Sequence, residues 1–264
     1  MPPHLTLLQP VLAIAQEAAA RILEIYQQDF LVEHKEDRTP VTEADMASHH
    51  YISEALAALD PSFPVLSEES AEIPFETRRQ WQRYWLVDPL DGTQEFVRRN
   101  GEFTVNIALI EDQAPTLGVV LSPVHGTTYY GARGVGAFRI DADCRVMQIR
   151  SRSKADTPRV IYSRSKPSKP LLAFLSNLGE HQALRLGSSL KSCRVAEGDA
   201  DIYPRFGLTG EWDTAAAQII VEEAGGMLAD TQMNPLRYNT KPSLLNPDFL
   251  VVGDAQDDWL SHWP

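Results

Sequence analysis

Residues 85–93 read W-L-V-D-P-L-D-G-T, and this stretch indicates both the fold and the position of a site. The apolar, aromatic run 81–87 predicts a buried strand. That strand delivers Asp88 to its carboxyl end, where Pro89 stops ladder donation and fixes a turn. Asp91 follows in the same turn, so one turn can aim both carboxylates at one point.

Gly92 and Thr93 complete this turn. Glycine lets a backbone approach a ligand closely, and a helix that begins at Thr93 would direct its free N–H groups to the same point. Carboxylates, a carbonyl and N–H donors together are typical of a site for a hard cation and a phosphate. Asp-Pro and Asp-Gly are also common turn dipeptides, so the stretch alone leaves a plain turn open.

Acidic residues in three other segments are further candidates for a role at the site. Glu68 and Glu69 follow a short apolar run, Asp213 opens a helix of small residues, and Asp45 lies where a second helix begins. Each has an ordinary structural interpretation, as a solvated strand end, a helix N-cap and a capping box. For Asp45 the functional alternative is a carboxylate that orients a water through Thr93. The alanines after Asp213 would let that helix press close to another element.

The remaining pattern predicts helices and strands in layers, an α+β to α/β fold. Helices are expected over 5–27 and, with Thr42 as N-cap, to about Leu59, whereas 34–40 reads as a loop and strands dominate 104–140. Beyond residue 150 the prediction is of strands at 159–162, 183–186 and 249–252 and of helices near 168–178 and 213–224. A soft boundary near 150 divides the chain into 1–150, with most of the acids, and 151–264, with Asp213, in one compact unit.

Composition limits the function. The 264 residues are 43% hydrophobic and carry a net charge of −12, which argues against general binding of duplex nucleic acid but not against a small anionic substrate. The two cysteines form no C-x-x-C pair, so a thiolate zinc site is not expected and a reducing compartment is. We find no signal peptide and no spanning segment near the N-terminus, and predict a cytoplasmic protein.

Three motifs together resemble the inositol monophosphatase superfamily of lithium-sensitive, Mg²⁺-dependent phosphatases. They are E-E at 68–69, D-P-L-D-G-T at 88–93 and W-D-T-A-A at 212–216, in the family's order over nearly the whole chain. The resemblance implies a sandwich of layers in the order α-β-α-β-α. Within the superfamily, the bacterial 3′(2′),5′-bisphosphate nucleotidases are most similar in the segments 64–69, 84–96, 99–109 and 163–165.

The resemblance assigns the metal ligands residue by residue. It implies about two or three Mg²⁺ ions, the first held by Glu68, Asp88 and the carbonyl of Leu90. The second ion is held by Asp88, Asp91 and Asp213, so that Asp88 bridges, and a weaker third ion shares Glu68. All-oxygen ligands suit Mg²⁺ rather than Zn²⁺.

The resemblance also assigns the catalytic groups. Thr93 and Asp45 orient and deprotonate the water that attacks phosphorus in line, and Glu69 supports a further water. The N–H groups of Gly92 and Thr93 hold the phosphoryl oxygens. No covalent intermediate with the protein is needed.

The distal part of the substrate is assigned to Ser188, Lys191 and Arg205, which match positions that hold a nucleotide 5′-phosphate. From the residues alone, Lys191 and Arg205 are cations in a mostly acidic stretch and could equally be surface charges. Ser163 and Arg164 are expected near the base, with a polar loop as the plain alternative.

The implied reaction is hydrolysis of adenosine 3′,5′-bisphosphate to AMP and phosphate, with 3′-phosphoadenosine 5′-phosphosulfate as a second substrate. The implied role is removal of a by-product of sulfur assimilation. Departures at Gln94, Lys166 and Ala217 leave inositol monophosphate or fructose 1,6-bisphosphate open as substrates. A non-catalytic metal-binding protein is a further alternative. A monomer or homodimer is expected, with peripheral attachment to the inner membrane also left open.

Overall fold

Side chains of the strand before the Asp-Pro turn alternate between two apolar clusters. Tyr84 and Leu86 belong to one cluster, Trp85 and Val87 to the other. Since successive strand residues point to opposite faces of a sheet, this strand lies in a sheet that is covered on both sides. These positions come from a computed structural model, which describes residues 3–28, 32–34 and 40–264.

The described residues form the following helices and strands, each numbered in chain order. The helices are α1 (Pro3–Tyr26), α2 (Glu43–Leu59), α3 (Phe75–Arg78), α4 (Thr93–Val97), α5 (Lys169–Leu178), α6 (Leu190–Ala196) and α7 (Ala215–Glu223). The strands are β1 (Val32–His34), β2 (Pro40–Thr42), β3 (Val65–Ser67), β4 (Arg83–Asp91), β5 (Thr104–Glu111), β6 (Ala114–Ser122), β7 (Thr127–Ala132), β8 (Gly136–Ile140), β9 (Val146–Ile149), β10 (Arg159–Tyr162), β11 (Gln182–Arg185), β12 (Ile202–Arg205), β13 (Met227–Asp230) and β14 (Phe249–Val252).

The strands form two large mixed sheets, besides the β1-β2 pair. One has seven strands in the order β3-β4-β5-β6-β7-β8-β9, and the other has five in the order β11-β10-β12-β14-β13. Helices α1 and α2 cover one face of the larger sheet, α6 and α7 lie between the two sheets, and α5 covers the outer face of the smaller one. The predicted α-β-α-β-α order is therefore confirmed.

Helix α7 lies very close to the larger sheet. A Cβ placed on Gly118 of β6 would lie 2.3 Å from the carbonyl oxygen of Ala216, and one on Gly131 of β7 would lie 3.1 Å from Ile220 Cα. Small residues on both sides permit this approach. The expectation drawn from the alanines after Asp213 is thus confirmed.

Three details differ from the sequence-based predictions. Strand β4 does not end at Asp88: the ladder is interrupted there and resumes where Asp91 pairs with Thr104. Asp213 is not a helix N-cap, because it ends a 3₁₀ turn and Thr214 takes the N-cap position of α7. The elements that were not predicted are α3, α6, β1, β2, β9, β12 and β13, and the ends of the predicted loop, His34 and Pro40, lie in β1 and β2. Of the predicted loop 34–40, residues 35–39 lie outside the described residues.

The larger sheet is formed by the first half of the chain and the smaller sheet by the second half. Helices α6 and α7 of the second half nevertheless pack against the larger sheet. The division at residue 150 stays a prediction. None of the described helices has both the length and the apolar character needed to cross a bilayer. The cytoplasmic location and the attachment to a membrane stay predictions.

Candidate metal and phosphate site

Three acidic side chains from distant segments converge in space. One carboxylate oxygen from each of Glu68, Asp88 and Asp213 lies within 4.8 Å of the other two. The parallel pairing of β3 with β4, in which Ser67 is the partner of Val87, brings the first two together at one sheet edge. The third arrives on the 3₁₀ turn ahead of α7. These residues were predicted as ligands, and the structure brings them together.

Asp88 is the most buried of the three acids, with 1% of its surface exposed. Its Oδ1 accepts a hydrogen bond from the N–H of Leu90 at 3.1 Å, whereas none of the described residues is a hydrogen-bond partner of its buried Oδ2. Burial, then the negative charges of Glu68, Asp91 and Asp213, raise the pKa of Asp88 well above its usual range. The carboxylate therefore lies in a position that favours a cation beside it.

Burial and neighbouring acids also affect the pKa of Asp213. Its Oδ2 accepts a hydrogen bond from the N–H of Gly210 at 2.9 Å. Burial, together with the charges of Asp91 and Glu68, raises the pKa of Asp213 above its usual range. A buried carboxylate oxygen without a partner, surrounded by further acids, fits a divalent cation, and oxygen ligands favour Mg²⁺ over softer metals.

Asp91 lies outside this trio and is held by a residue that sequence analysis did not assign. Its Oδ2 is 2.6 Å from both the backbone N and the Oγ of Ser189, while that Oγ is 2.8 Å from the carbonyl oxygen of Asp213. Asn106 Nδ2 also donates to Ser189 Oγ at 2.9 Å. Ser189 thus joins two predicted ligands from different halves of the chain. Its only sequence signal is its place beside Ser188.

Asp45 forms the predicted cap of α2 and also contacts Thr93, while its role in orienting a water stays a prediction. Its Oδ2 accepts hydrogen bonds from the N–H and hydroxyl of Thr42, at 2.8 and 2.6 Å, which is the predicted cap of α2. Its Oδ1 accepts from the hydroxyl of Thr93 at 3.1 Å. Burial raises the pKa of Asp45, although the bonds from Thr42 oppose the shift. Glu69 lies close enough for its charge to raise that pKa further.

The turn after Asp91 has the conformation that the sequence requires. Gly92 has a φ of 95°, in the left-handed region, and α4 begins at Thr93 as predicted. The hydroxyl of Thr93 also lies 3.4 Å from the carbonyl oxygen of Leu90. A predicted metal-binding carbonyl and a predicted water-orienting hydroxyl are therefore neighbours.

These groups open into one cavity of about 330 Å³. The predicted residues that line it are Glu68, Asp88, Leu90, Asp91, Gly92, Thr93, Ser163, Ser188, Lys191, Arg205 and Asp213. Asp45, Glu69 and Arg164 do not line it. The cavity therefore combines acids, cations and hydroxyls from both halves of the chain.

Lys191 and Arg205 supply positive charge to this cavity. Lys191 is only 6% exposed, its Nζ donates to the carbonyl of Ser188 at 2.6 Å, and it lies 5.2 Å above the ring of Tyr203. Arg205 donates through Nη2 to the carbonyl of Leu208 at 3.0 Å, while its buried Nε has no partner among the described residues. The alternative that Lys191 is a surface charge is wrong.

Arg164 pairs with an acid and does not line the cavity. Its guanidinium pairs with Glu102 through Nε to Oε2 at 2.6 Å and Nη2 to Oε1 at 2.5 Å. This ion pair engages two of the three guanidinium nitrogens of Arg164. Its neighbour Ser163 does line the cavity.

Comparison with known proteins supports the class that this geometry indicates. The family model described as "Inositol monophosphatase family" matches residues 6–257. The chain belongs to the inositol monophosphatase family, whose enzymes depend on metal ions.

Similar relatives in this comparison share one enzyme name within the family. The chain is 49% identical to the 3′(2′),5′-bisphosphate nucleotidase CysQ of Salmonella typhimurium, over 93% of this chain and 99% of that protein. It is 48% identical to the protein of the same name from Escherichia coli K12, with the same coverage. The crystal structure of CysQ from Bacteroides thetaiotaomicron superposes with a TM-score of 0.82 at 35% identity, covering 96% of this chain and 98% of that one.

Proposed function

We propose that this protein is a Mg²⁺-dependent 3′(2′),5′-bisphosphate nucleotidase that hydrolyses adenosine 3′,5′-bisphosphate to AMP and phosphate. One observation carries the proposal: a single cavity is lined both by the acids Glu68, Asp88 and Asp213 and by the cations Lys191 and Arg205. The acids suit a divalent metal beside the phosphate that is cleaved. The cations suit a second phosphate that is retained. The relatives named above support the same substrate class.

The ligand set follows from the geometry and the resemblance. Glu68, Asp88 and Asp213 would hold Mg²⁺ with the carbonyl of Leu90, and Asp91 would join them from its position on Ser189. Bound Mg²⁺ supplies Lewis-acid charge at the phosphoryl oxygens and lowers the pKa of a water. About two or three ions are expected, since two-metal sites are common among phosphatases.

The protein's own groups then place the reacting atoms. The hydroxyl of Thr93, held by Asp45, orients the attacking water, and the raised pKa of Asp45 makes this carboxylate a better proton acceptor. The N–H groups of Gly92 and Thr93 orient the phosphoryl oxygens. Glu69, close to Asp45, would hold a further water.

The second phosphate, which is not cleaved and is called the distal phosphate, is held by cationic and hydroxyl groups. Lys191 Nζ and the Arg205 guanidinium line the cavity beside Ser188, and the buried Nε of Arg205 still has a hydrogen bond to donate. Charge-assisted bonds to phosphate are strong, about 1.5–3 kcal/mol each. Substrates that lack a second phosphate lose these bonds.

A phosphate-release panel tests the proposal. With Mg²⁺, kcat/KM for adenosine 3′,5′-bisphosphate should exceed that for inositol 1-phosphate by about 100-fold, the loss expected for two charge-assisted bonds. 3′-Phosphoadenosine 5′-phosphosulfate should also be cleaved. Equal or reversed rates with inositol 1-phosphate or fructose 1,6-bisphosphate would show a sugar phosphatase instead.

The same assay separates catalysis from metal binding alone. Asp91→Asn should abolish turnover, because the residue is a proposed ligand. A wild-type protein that binds Mg²⁺ but releases phosphate from none of these esters would be a metal-binding protein without this activity.

A further inference from the structure

Glu102 joins the two halves of the chain next to the cavity. It lies just before β5 and is 7% exposed. Its carboxylate accepts both hydrogen bonds from Arg164 described above and a third from the N–H of Gly187, which lies 2.8 Å from Oε2. Asn100 holds the backbone of Glu102 in place, with Oδ1 accepting from its N–H at 3.0 Å. One side chain of the first half therefore fastens two loops of the second half.

Both fastened loops carry residues that line the cavity. Arg164 directly follows Ser163, and Gly187 directly precedes Ser188; Ser163, Gly187 and Ser188 all line it. The loop that contains Gly187 also leads into α6, on which Lys191 lies. The contacts of Glu102 therefore set the position of the segment that is proposed to hold the distal phosphate.

The backbone of Glu102 also lies close to both ends of the site. A Cβ on Gly187 would lie 2.7 Å from the carbonyl oxygen of Glu102, and a Cβ on Gly92 would lie 3.2 Å from the same oxygen. Gly92 belongs to the turn beside the metal ligands, whereas Gly187 belongs to the distal loop. The backbone of Glu102 is therefore in close contact with both segments.

Hydrogen bonds stabilise the charged form of the Glu102 carboxylate. Burial by itself would raise the pKa of this carboxyl, but the hydrogen bonds from Arg164 and from the N–H of Gly187 hold its pKa below the usual range. The side chain of Arg164 is 46% exposed and can return to water when the pair is broken. Removing the charge is therefore expected to free the loops without unfolding the protein.

We propose that Glu102 is a positioning residue for the distal half of the substrate: through Arg164 and Gly187 it holds the loops of Ser163 and Ser188 at the distance that a bisphosphate nucleotide requires. This inference rests on the proposed function. It also gives Arg164 a role without contact to the ligand. The role of Glu102 concerns binding of the second phosphate and the nucleoside, not the chemistry at the metal ligands.

The test is Glu102→Gln, which keeps the size of the side chain and removes its charge. For adenosine 3′,5′-bisphosphate, KM should rise about 10-fold while kcat stays within about 2-fold, since binding and not the transition state is affected. For p-nitrophenyl phosphate, which has no second phosphate, kcat/KM should stay within about 2-fold. Arg164→Gln should raise KM similarly, and the double variant should be no worse than either single one.

Glu223→Gln is the matched control. Glu223 also joins the two halves by accepting backbone hydrogen bonds, from Gly134 and Gly136 at 2.9 Å each, but neither of these glycines lines the cavity, whereas Gly187 does. Its variant should leave KM for the nucleotide unchanged. A rise in KM equal to that of Glu102→Gln would show a general effect of loosening the halves and would overturn the inference.

Other outcomes are equally decisive. An unchanged KM in Glu102→Gln, or an equal loss with p-nitrophenyl phosphate, would refute the positioning role while leaving the proposed function intact. A rise in KM for Arg164→Gln alone would mean that Arg164 acts on the substrate directly. A wild-type protein without activity on the nucleotide would overturn the proposed function and this inference with it.

Discussion

Asp88 lies buried beside two other acids, and its Oδ2 has no hydrogen-bond partner among the described residues. Like charges in a buried position oppose folding unless a cation balances them. Asp201 provides a contrast within the same chain. It is equally buried, but Arg152 and Arg159 pair with it at 3.1 Å each. Asp201 is thus paired with two arginines, whereas no arginine among the described residues pairs with Asp88.

This contrast makes a prediction for the metal-free protein. In the presence of a chelator, Asp88→Asn should raise the free energy of unfolding by about 1–3 kcal/mol, because it removes one of several buried negative charges. The matched variant Asp201→Asn should lower it, because its arginines lose their partner. Urea unfolding measures both. A loss of stability in Asp88→Asn equal to that in Asp201→Asn would contradict the account.

Ser189 should affect metal binding through the carboxylate that it orients. Ser189→Ala removes the hydroxyl between Asp91 and the carbonyl of Asp213, and groups that orient metal ligands commonly affect affinity about 10–100-fold. The Mg²⁺ concentration for half-maximal activity should rise by about 10-fold or more. Ser151→Ala is the control, since Ser151 Oγ also contacts two carbonyls but does not line the cavity. Equal Mg²⁺ requirements in both variants would remove Ser189 from the site.

Residues differ in how far the sequence could predict them. Glu68, Asp88 and Asp213 were predictable because their motifs occur in the family's order. Ser189 and Glu102 were not, because a serine or a glutamate gains its role only from partners that are distant in sequence, and no local spacing reveals them.

At the scale of elements, the close packing of α7 on the larger sheet fixes the position of Asp213, which lies two residues before the helix. Long periodic helices and the strand before the Asp-Pro turn were predictable from their patterns and caps. Short elements were predictable only in part: the four-residue strands β10 and β14 were predicted, whereas β12 and the seven-residue α6 were not, because so few residues carry little periodicity. Strand β4 tolerates Pro89 because the ladder skips the positions between Asp88 and Asp91.

A substitution at Gly118 tests the close packing of α7 on the larger sheet. In Gly118→Ala the new Cβ would overlap the carbonyl oxygen of Ala216, and overpacking typically costs about 1–3 kcal/mol. Calorimetry should show a lower melting temperature, and the requirement for Mg²⁺ should rise because Asp213 moves with α7. Gly131→Ala, whose Cβ would have more room, should have the smaller effect on both. A larger effect at Gly131 would contradict this placement of the helix.

At the scale of the whole molecule, the site lies where the two sheets and the helices between them meet. Glu68 and Asp88 come from the edge of the larger sheet, and Asp213 comes from the second half of the chain. A bound cation would therefore connect both halves. The layered fold was predictable because the family resemblance covers nearly the entire chain, whereas the position of Arg164 depends on a contact across the halves that sequence does not show.

Anomalous X-ray scattering from crystals grown with Mn²⁺, a metal that accepts the same oxygen ligands as Mg²⁺, tests this arrangement most directly. The account predicts an anomalous peak bounded by the carboxylates of Glu68, Asp88 and Asp213, inside the cavity that Lys191 and Arg205 also line. A map at saturating Mn²⁺ with no peak among these three carboxylates would contradict it.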